Sequence, residues 1–354
     1  MVRYLQILPI LLIVFCNEDP AGEDILDYYR DLGLLKIDTL FPVAIENSYS
    51  DLPNGYGDNV VVGLDSDYEA RGLLKFLIPD TGYANIDSIK LILNVNDDLK
   101  NQTVNFEIRL VTTEWDEREA RWLAASEGLK WETPGGDFGD SIIYSGSVDE
   151  DSLIISIDPA LFEEIRASYG FIILPTGGGP LALEAGNSRL YVVADGGTTI
   201  FLLSGDSFIV NCFRLPDPGE YFLGSGYTFR NYVDFSIDTS YQDLWLAKAE
   251  LSLGVVEHRS MRDSIYFSFR SLKEEFSGIK TELKDYQDKY LPIADSTTGF
   301  DVGPIVNYWI ENPDSNYGAF MAVYPEDGDI TRLSIDPGSI RLILYLVNRA
   351  EGRF

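Results

Sequence analysis

The sequence predicts an all-β protein built from two tandem antiparallel β-sandwich domains of the jelly-roll type. Three observations predict this fold class. Short runs of β-branched and Leu-rich residues, separated by turn signals, fill most of the 354-residue chain. Helical periodicity is sparse. Five segments of the first half recur in the same order in the second half, which indicates that one β module occurs twice.

The chain begins with a short apolar leader, MVRYLQILPILLIVFC, at residues 1–16. This run is shorter than the ~20 apolar residues that span a bilayer, so it is typical of a secretory signal. The segment resembles a bacterial lipoprotein signal, in which the closing cysteine, here Cys16, carries the lipid; Phe15 departs from the small residue usual before it. An ordinary signal peptide with a chance cysteine is the alternative. Residues 17–35 are polar and acidic, and we expect them to form a tether.

Alternation with a period of two indicates strands that have one buried face and one solvated face. The clearest case is a run in which apolar residues alternate with polar ones: Val104, Phe106, Ile108 and Leu110 against Asn105, Glu107 and Arg109. Such strands are typical of an antiparallel sandwich.

Short helices are predicted at residues 159–168 and 304–311. In the first of these, Asp158 is a suitable N-cap and Pro159 a suitable first helical residue. Residues 274–290 mix apolar and charged side chains and are predicted to be partly helical or a long loop. Cys212 lies in a strand-like apolar run and is expected to be a small core residue.

The repeat has a nearly constant offset. Residues 71–78 (RGLLKFLI) match residues 230–237 (RNYVDFSI), so the offset is 230 − 71 = 159. The strand from Val104 matches the strand from Ile265, at 265 − 104 = 161. We therefore predict a first module at residues 36–197 and a second, diverged module at residues 198–354, joined at the GGTT turn.

The charge excludes several classes of function. The chain has 57 Asp and Glu against 27 Lys and Arg, a net charge of −30 that repels nucleic acids and anionic lipid headgroups. One histidine, His258, leaves little room for a His-based metal cluster. Two cysteines cannot form a disulfide framework. We expect no nucleic-acid partner, and contact with a membrane only through a lipid on Cys16.

The first copy resembles the DNRLRE-type module, a carbohydrate-binding-like β jelly roll of exported bacterial proteins. The resemblance covers roughly residues 48–194 and rests on an ordered set of segments: NGYG at 54–57, RGLLKFLIPD at 71–80, TEWDE at 113–117 and WETPGGDF at 131–138. The second copy keeps the strands but has Phe276-Ser277-Gly278 where the first has Trp115-Asp116-Glu117. It therefore resembles a diverged sister of the module.

The resemblance implies a non-catalytic module, some members of which bind polysaccharide. Four aromatic residues, Tyr56, Trp115, Trp122 and Trp131, are the candidate ligand-binding residues. Aromatic faces stack on the apolar face of a pyranose, and amides and carboxylates bind its hydroxyls. The acidic surroundings favour a neutral glycan over a uronate polymer. The alternative is that the tryptophans cap the end of a sandwich core.

Structural calcium is a further implication of the resemblance, because jelly-roll modules of this kind often carry it. Asp65 and Asp67 offer carboxylate oxygens at short spacing, which is the ligand type that Ca²⁺ prefers. Solvated turns are the alternative interpretation of such aspartates. Catalysis has little support: Asp116 and Glu117 are neighbours that would point to opposite faces of a strand, and His258 is expected in an exposed turn.

The sequence thus predicts an exported cell-envelope protein, a lipoprotein of the outer membrane or cell surface, that recognises a neutral polysaccharide or a surface partner. A periplasmic or secreted location is the alternative. A structural spacer or filament subunit without a glycan ligand is the second hypothesis, because exposed sheet edges can pair with neighbours. An enzyme with an unrecognised carboxylate site is the third.

Overall fold

The structure, a computed structural model, describes residues 23–79, 83, 85–148, 152–292 and 297–348. Cys16 and the rest of the leader lie outside the described residues, as does the start of the predicted tether. The described part of the tether holds helix α1 (Glu23–Asp31), and strands β1 (Leu35–Leu40) and β2 (Ala44–Ser50) follow it. No helix in these ranges combines the length and the apolar character needed to cross a bilayer.

Nine of the described strands form the first sheet, which is antiparallel. The strands in this part of the chain are β3 (Asn59–Leu64), β4 (Tyr68–Phe76), β5 (Ile86–Asn94), β6 (Val104–Leu110), β7 (Ala124–Ser126), β8 (Leu129–Lys130), β9 (Tyr144–Val148), β10 (Ser152–Ile157), β11 (Phe171–Glu184), β12 (Arg189–Ala194) and β13 (Gly197–Cys212). The sheet order is β10-β5-β12-β13-β4-β3-β11-β6-β9. Strands β7 and β8 form a separate two-stranded ribbon.

Ten of the described strands form the second sheet. Its strands from the C-terminal part of the chain are β14 (Tyr221–Ser225), β15 (Thr228–Asp234), β16 (Leu244–Ser260), β17 (Ser264–Leu272), β18 (Leu283–Pro292), β19 (Thr297–Asp301), β20 (Ala319–Tyr324) and β21 (Thr331–Asn348). The order is β18-β17-β20-β15-β14-β21-β16-β19, with β1 paired to β21 and β2 paired to β15. The predicted all-β class, with two antiparallel β-sandwich modules, is confirmed.

Each sheet encloses its own apolar core. The alternation predicted for β6 is confirmed, because its four apolar residues are buried and its three polar residues are partly or fully exposed. In the first core Phe76 and Phe171 meet edge to face at 5.9 Å, and in the second Phe269 and Trp309 do so at 6.0 Å. These edge-to-face contacts are the geometry that aromatic rings prefer in packed interiors.

The two predicted short helices are confirmed. A 3-10 turn at Pro159–Leu161 leads into α2 (Phe162–Ala167), and the Asp158 carboxylate caps the turn by accepting from the backbone N–H of Ala160 at 3.0 Å. Helix α3 (Gly303–Glu311) packs Trp309 and its apolar neighbours into the second core. The helical alternative for residues 274–290 is wrong: the segment is a loop that enters β18.

The strands that open the two sequence copies are exchanged between the two sheets. Residues 35–50 form β1 and β2, and residues 197–212 form β13, so the two segments are related by 197 − 35 = 162, close to the repeat offset. Strand β13 pairs with β12 and β4 of the first sheet. Strands β1 and β2 instead pair with β21 and β15 of the second sheet.

The pairing registers show that the exchanged segments occupy equivalent positions. In the first sheet Ile209 of β13 lies opposite Arg71, and in the second sheet Ser48 of β2 lies opposite Arg230. Arg71 and Arg230 are the equivalent residues of the two sequence copies. A division of the chain near residue 197 therefore separates the two sequence copies but does not separate the two sheets.

Candidate functional site

A cavity of about 580 Å³ opens where the segment between β2 and β3 meets the loop between β20 and β21. The first segment crosses from the second sheet to the first, so the cavity lies where the two modules meet. The residues that matter for its chemistry are Tyr56, Asn59, Arg262, Arg270, Tyr324 and Glu326. We call this cavity the cleft.

The crossing segment is fixed in place by a buried asparagine. The Asn54 side chain is only 2% exposed. Its amide donates to the backbone carbonyls of Gly226, at 2.9 Å, and Phe208, at 3.2 Å. These carbonyls belong to the turn after β14 and to β13, so one side chain joins both modules. Since buried amides need partners, this pattern positions the segment that carries Tyr56.

The two loops that form the cleft are in close backbone contact at Gly57 and Gly328. A Cβ atom at Gly57 would lie 2.7 Å from the Cα of Gly328, so the two loops can approach this closely only with glycine at position 57. The Asn59 amide donates to the Gly328 carbonyl at 3.0 Å, and Asn96 donates to the Asn59 side-chain oxygen at 2.8 Å. The segment between β2 and β3 and the loop between β20 and β21 are therefore joined by hydrogen bonds as well as by backbone contact.

Two exposed tyrosine rings line the cleft. Tyr56 is 67% exposed and Tyr324 is 51% exposed. The Arg118 guanidinium lies 5.5 Å from the centre of the Tyr56 ring, and the Arg270 guanidinium lies 5.5 Å from the centre of the Tyr324 ring. A guanidinium group above one face of an aromatic ring restrains the ring and leaves part of its surface uncovered. Both rings therefore keep apolar surface that a ligand can contact.

Opposite charges compensate one another along the cleft. Arg230 donates to both carboxylate oxygens of Glu326, at 2.7 and 2.6 Å, and both side chains are largely buried. Arg262 forms a short ion pair with Asp329. Burial is the main cause that raises the pKa of Asp327 above its usual value, and the neighbouring carboxylates add to it. Such a site offers hydrogen-bonding groups rather than a strong net field.

The three candidate tryptophans lie in a buried cluster outside the cleft. Trp115, Trp122 and Trp131 are 4%, 9% and 5% exposed. The indole N–H of Trp115 donates to the Tyr169 carbonyl at 2.9 Å, and that of Trp131 donates to the Arg121 carbonyl at 2.8 Å. With all three rings buried and the indoles of Trp115 and Trp131 partnered, they fit the alternative interpretation, in which tryptophans cap the end of a core.

The tryptophan cluster is hydrogen-bonded to the start of the segment between β2 and β3. The Arg71 guanidinium lies 4.6 Å from the centre of the Trp122 ring, and a Cβ at Gly135 (φ +92°) would lie 2.8 Å from that ring. The backbone N–H of Trp122 donates to Asp51, the first residue after β2, at 2.7 Å. Burial raises the pKa of the Asp51 carboxyl to about 7, and its second oxygen has no partner among the described residues.

The candidate calcium residues lie beside a second cavity of about 550 Å³. Two guanidinium groups of the second sheet bind Asp67: Arg332 at 2.7 Å and Arg259 at 2.5 Å. Asp65 accepts instead from the backbone N–H groups of Asp67 and Tyr68. The described residues hold no group of three or more acidic, His or Cys side chains placed to bind a metal. The carboxylates are thus already neutralised or capping a turn, which does not fit a calcium ligand set.

The remaining sequence candidates take ordinary structural positions. His258 lies within β16 opposite Leu333, so the expected turn is wrong, although the side chain is exposed as expected. Cys212 is half-buried, and its thiol donates to the Arg214 carbonyl at 3.2 Å. Burial is the main cause that raises the pKa of this thiol, which disfavours the reactive thiolate.

Comparison with known proteins returns no family model that matches the chain. Among curated proteins none is significantly similar.

Tyr324 and the arginines of the cleft were not predicted from the sequence. A signal for Tyr324 was present in the repeat: the strand ILP of the first copy, with Leu174 before its proline, corresponds to VYP of the second copy. A tyrosine replacing a leucine at a strand end is a sign of an aromatic side chain at the surface. Arg262 and Arg270 gave no such signal, since charged residues are common on solvated strand faces.

Proposed function

We propose that this chain is an exported, non-catalytic cell-envelope protein that recognises a neutral polysaccharide, or a partner on a cell surface, through the cleft. The observation that carries the proposal is the pair of exposed tyrosines, Tyr56 and Tyr324, on the walls of one cavity that also contains amide, carboxylate and guanidinium groups. Tyrosine faces bind the apolar side of a sugar ring, and the polar groups bind its hydroxyls.

A neutral ligand is favoured by charge at two levels. The chain as a whole carries a net charge of −30, which repels polyanions. The arginines that line the cleft are paired with carboxylates, Arg262 with Asp329 and Arg270 with Glu326, so they are not free to hold a uronate. Because Arg230 holds Glu326 through both carboxylate oxygens, Glu326 is not free to act as acid, base or nucleophile in glycoside hydrolysis, which supports binding without cleavage.

The proposed location rests on the leader. The resemblance of residues 1–16 to a lipoprotein signal supports export and a lipid on Cys16, with the module resemblance pointing to a surface role. Labelling cells with an azide-tagged palmitate tests this part separately. Label on the wild-type protein and its loss in Cys16→Ser are expected, and equal labelling of both proteins would reject the anchor.

The ligand proposal is tested by retention on insoluble neutral polysaccharides such as cellulose, xylan and mannan. We expect Tyr56→Ala and Tyr324→Ala each to lower retention by about fivefold, since stacking on one ring contributes about 1 kcal/mol. Tyr169→Ala is the matched control, because Tyr169 is also exposed but does not line the cleft. Retention unaffected by both cleft variants, or release of soluble sugar from the matrix, would reject the proposal.

Assembly without a glycan is the second candidate function, and one observation favours it. Strand β10 lies at the edge of the first sheet and presents Ile154, which is 61% exposed. An apolar edge strand is a template for pairing with another chain. Size-exclusion chromatography with light scattering tests this candidate, and a single monomeric species at high micromolar concentration counts against it.

A further inference from the structure

The C-terminal module is incomplete without a segment that lies far away in the sequence. Residues 35–40 pair with residues 342–347 of β21, and residues 44–50 pair with residues 228–234 of β15. The segment 35–50, which we call the donated strand, thereby completes the hydrogen bonding of two strands of the second sheet. Without it, both strands would present unpaired backbone groups, which is a costly arrangement.

Side chains of the donated strand also complete the core and its rim. Leu40 and Ile45 pack against the buried residues of the second core. Asn47 accepts from the Asn231 amide at 3.0 Å, and its own amide donates to the Glu220 carbonyl at 2.6 Å. Asp38 accepts from the Tyr241 hydroxyl at 2.8 Å, and that hydrogen bond is the main cause that lowers the pKa of Asp38.

We infer that the C-terminal module is a strand-accepting module whose ligand is the donated strand, and that a second copy of this chain can supply that strand. The equivalent segment β13 fits the first sheet at the same register, so the module type accepts such a strand irrespective of the chain connection that delivers it. What recognises the ligand is the edge pairing, together with the pockets for Leu40 and Ile45.

The connections between the modules determine how a second copy would supply the strand. The segment 51–58 is held in both modules by Asn54 and by contact at Gly57, so it stays with its neighbours. The other connection, residues 213–220, is mostly exposed, and its Arg214–Glu220 ion pair closes within the connection itself. It contacts the rest of the described chain through few groups: two backbone N–H groups donate to the Asp67 carbonyl, the Glu220 carbonyl accepts from the Asn47 amide, and the Arg214 guanidinium lies 5.4 Å from the centre of the Phe222 ring.

Opening of residues 213–220 therefore yields an exchanged dimer that keeps almost every contact of the monomer. In this dimer the first module and donated strand of one copy would pack on the C-terminal module of the other copy. The first module and donated strand of that other copy would pack in the same way on the C-terminal module of the first. Exchange of identical elements between copies is a low-cost route to a dimer, because only the connecting segment changes its conformation.

The first experiment uses the full-length chain with a protease site inserted after Asp217. After cleavage we expect both fragments to elute together at the mass of the intact chain and to separate only in denaturant. Fragments that elute separately at micromolar concentration would overturn the inference. Leu40→Asp is expected to release the fragments. Its matched control is Ile37→Asp on the same strand, since Ile37 is 52% exposed and should leave them associated.

The second experiment tests the second copy as the donor. Two versions of the same full-length protein, carrying different affinity tags, are refolded together at high concentration. We expect a dimer that contains both tags, and we expect cleavage after Asp217 to convert it to complexes of monomer mass. Recovery of monomers alone would overturn exchange between copies. A dimer that survives cleavage would also overturn it, because a different surface would then hold the two chains.

Discussion

The buried carboxyl of Asp51 predicts that the protein becomes less stable as the pH rises. Burial raises the pKa of this group from 3.8 to about 7, although the Trp122 backbone N–H opposes the shift. Between these two values the folded protein holds a proton that the unfolded chain has released. Since the folded state binds more protons, the free energy of unfolding falls as the pH rises through this window.

The magnitude follows from the size of the shift. At 1.36 kcal/mol per pH unit, a shift from 3.8 to about 7 is worth about 4 kcal/mol at full extent. Most of this loss falls between pH 5 and pH 8, where the titration of Asp51 alone accounts for roughly 2.5 kcal/mol. Asp206, whose pKa burial and two neighbouring carboxylates raise to about 6, acts in the same direction.

Urea denaturation at pH 5 and pH 8 measures the effect, and Asp51→Asn isolates it from the other carboxylates. The variant keeps the size of the side chain but does not titrate, so its loss of stability between the two pH values should be smaller by roughly 2.5 kcal/mol. Asp217→Asn, at an exposed site, should behave like the wild type. Equal pH dependence of Asp51→Asn and the wild type would refute the reasoning.

Three further predictions concern the contacts between the modules and the predicted calcium site. Gly57→Ala should lower the free energy of unfolding by about 1–3 kcal/mol because its Cβ would meet the Gly328 backbone, whereas Gly139→Ala, whose Cβ has no atom within 4 Å, should change it little; urea titration of both variants checks this. Asp67→Ala should cost about 3 kcal/mol in the same assay, because it leaves the largely buried Arg332 unpaired; a loss below 0.5 kcal/mol would contradict this. Millimolar calcium and a chelator should give the same melting temperature, and stabilisation by calcium would restore the predicted metal site.

The fold class was predictable because it depends on local pattern. The spacing of apolar residues predicts the strand at residues 104–110 and the helix at 304–311, and the internal repeat predicts that there are two modules. The exchange of the opening strands was not predictable. Each sequence copy opens with such a segment, at residues 35–50 and 197–212. The pattern of apolar residues in a strand does not specify which of two similar sheets the strand will join.

The candidate site was predictable only in part, for a related reason. Tyr56 was a candidate because its NGYG segment is among those that resemble the module family, and it does line the cleft. Its partner across the cleft, Tyr324, is 268 residues away, since 324 − 56 = 268, and no local pattern joins the two. Likewise the local sequence around Asp67 is typical of a calcium ligand. It does not show that Arg332, 265 residues further along the chain, pairs with this carboxylate.

The central claim is that the cleft binds a neutral glycan. Isothermal titration calorimetry with neutral hexasaccharides of glucose, xylose and mannose, at 50 and 500 mM salt, tests it most directly. Because the ligand is neutral and the arginines of the cleft are paired with Asp329 and Glu326, we predict binding of at least one hexasaccharide with an affinity that changes less than twofold between the two salt concentrations. The absence of heat with all three sugars, or an affinity that falls tenfold in high salt, would contradict the claim.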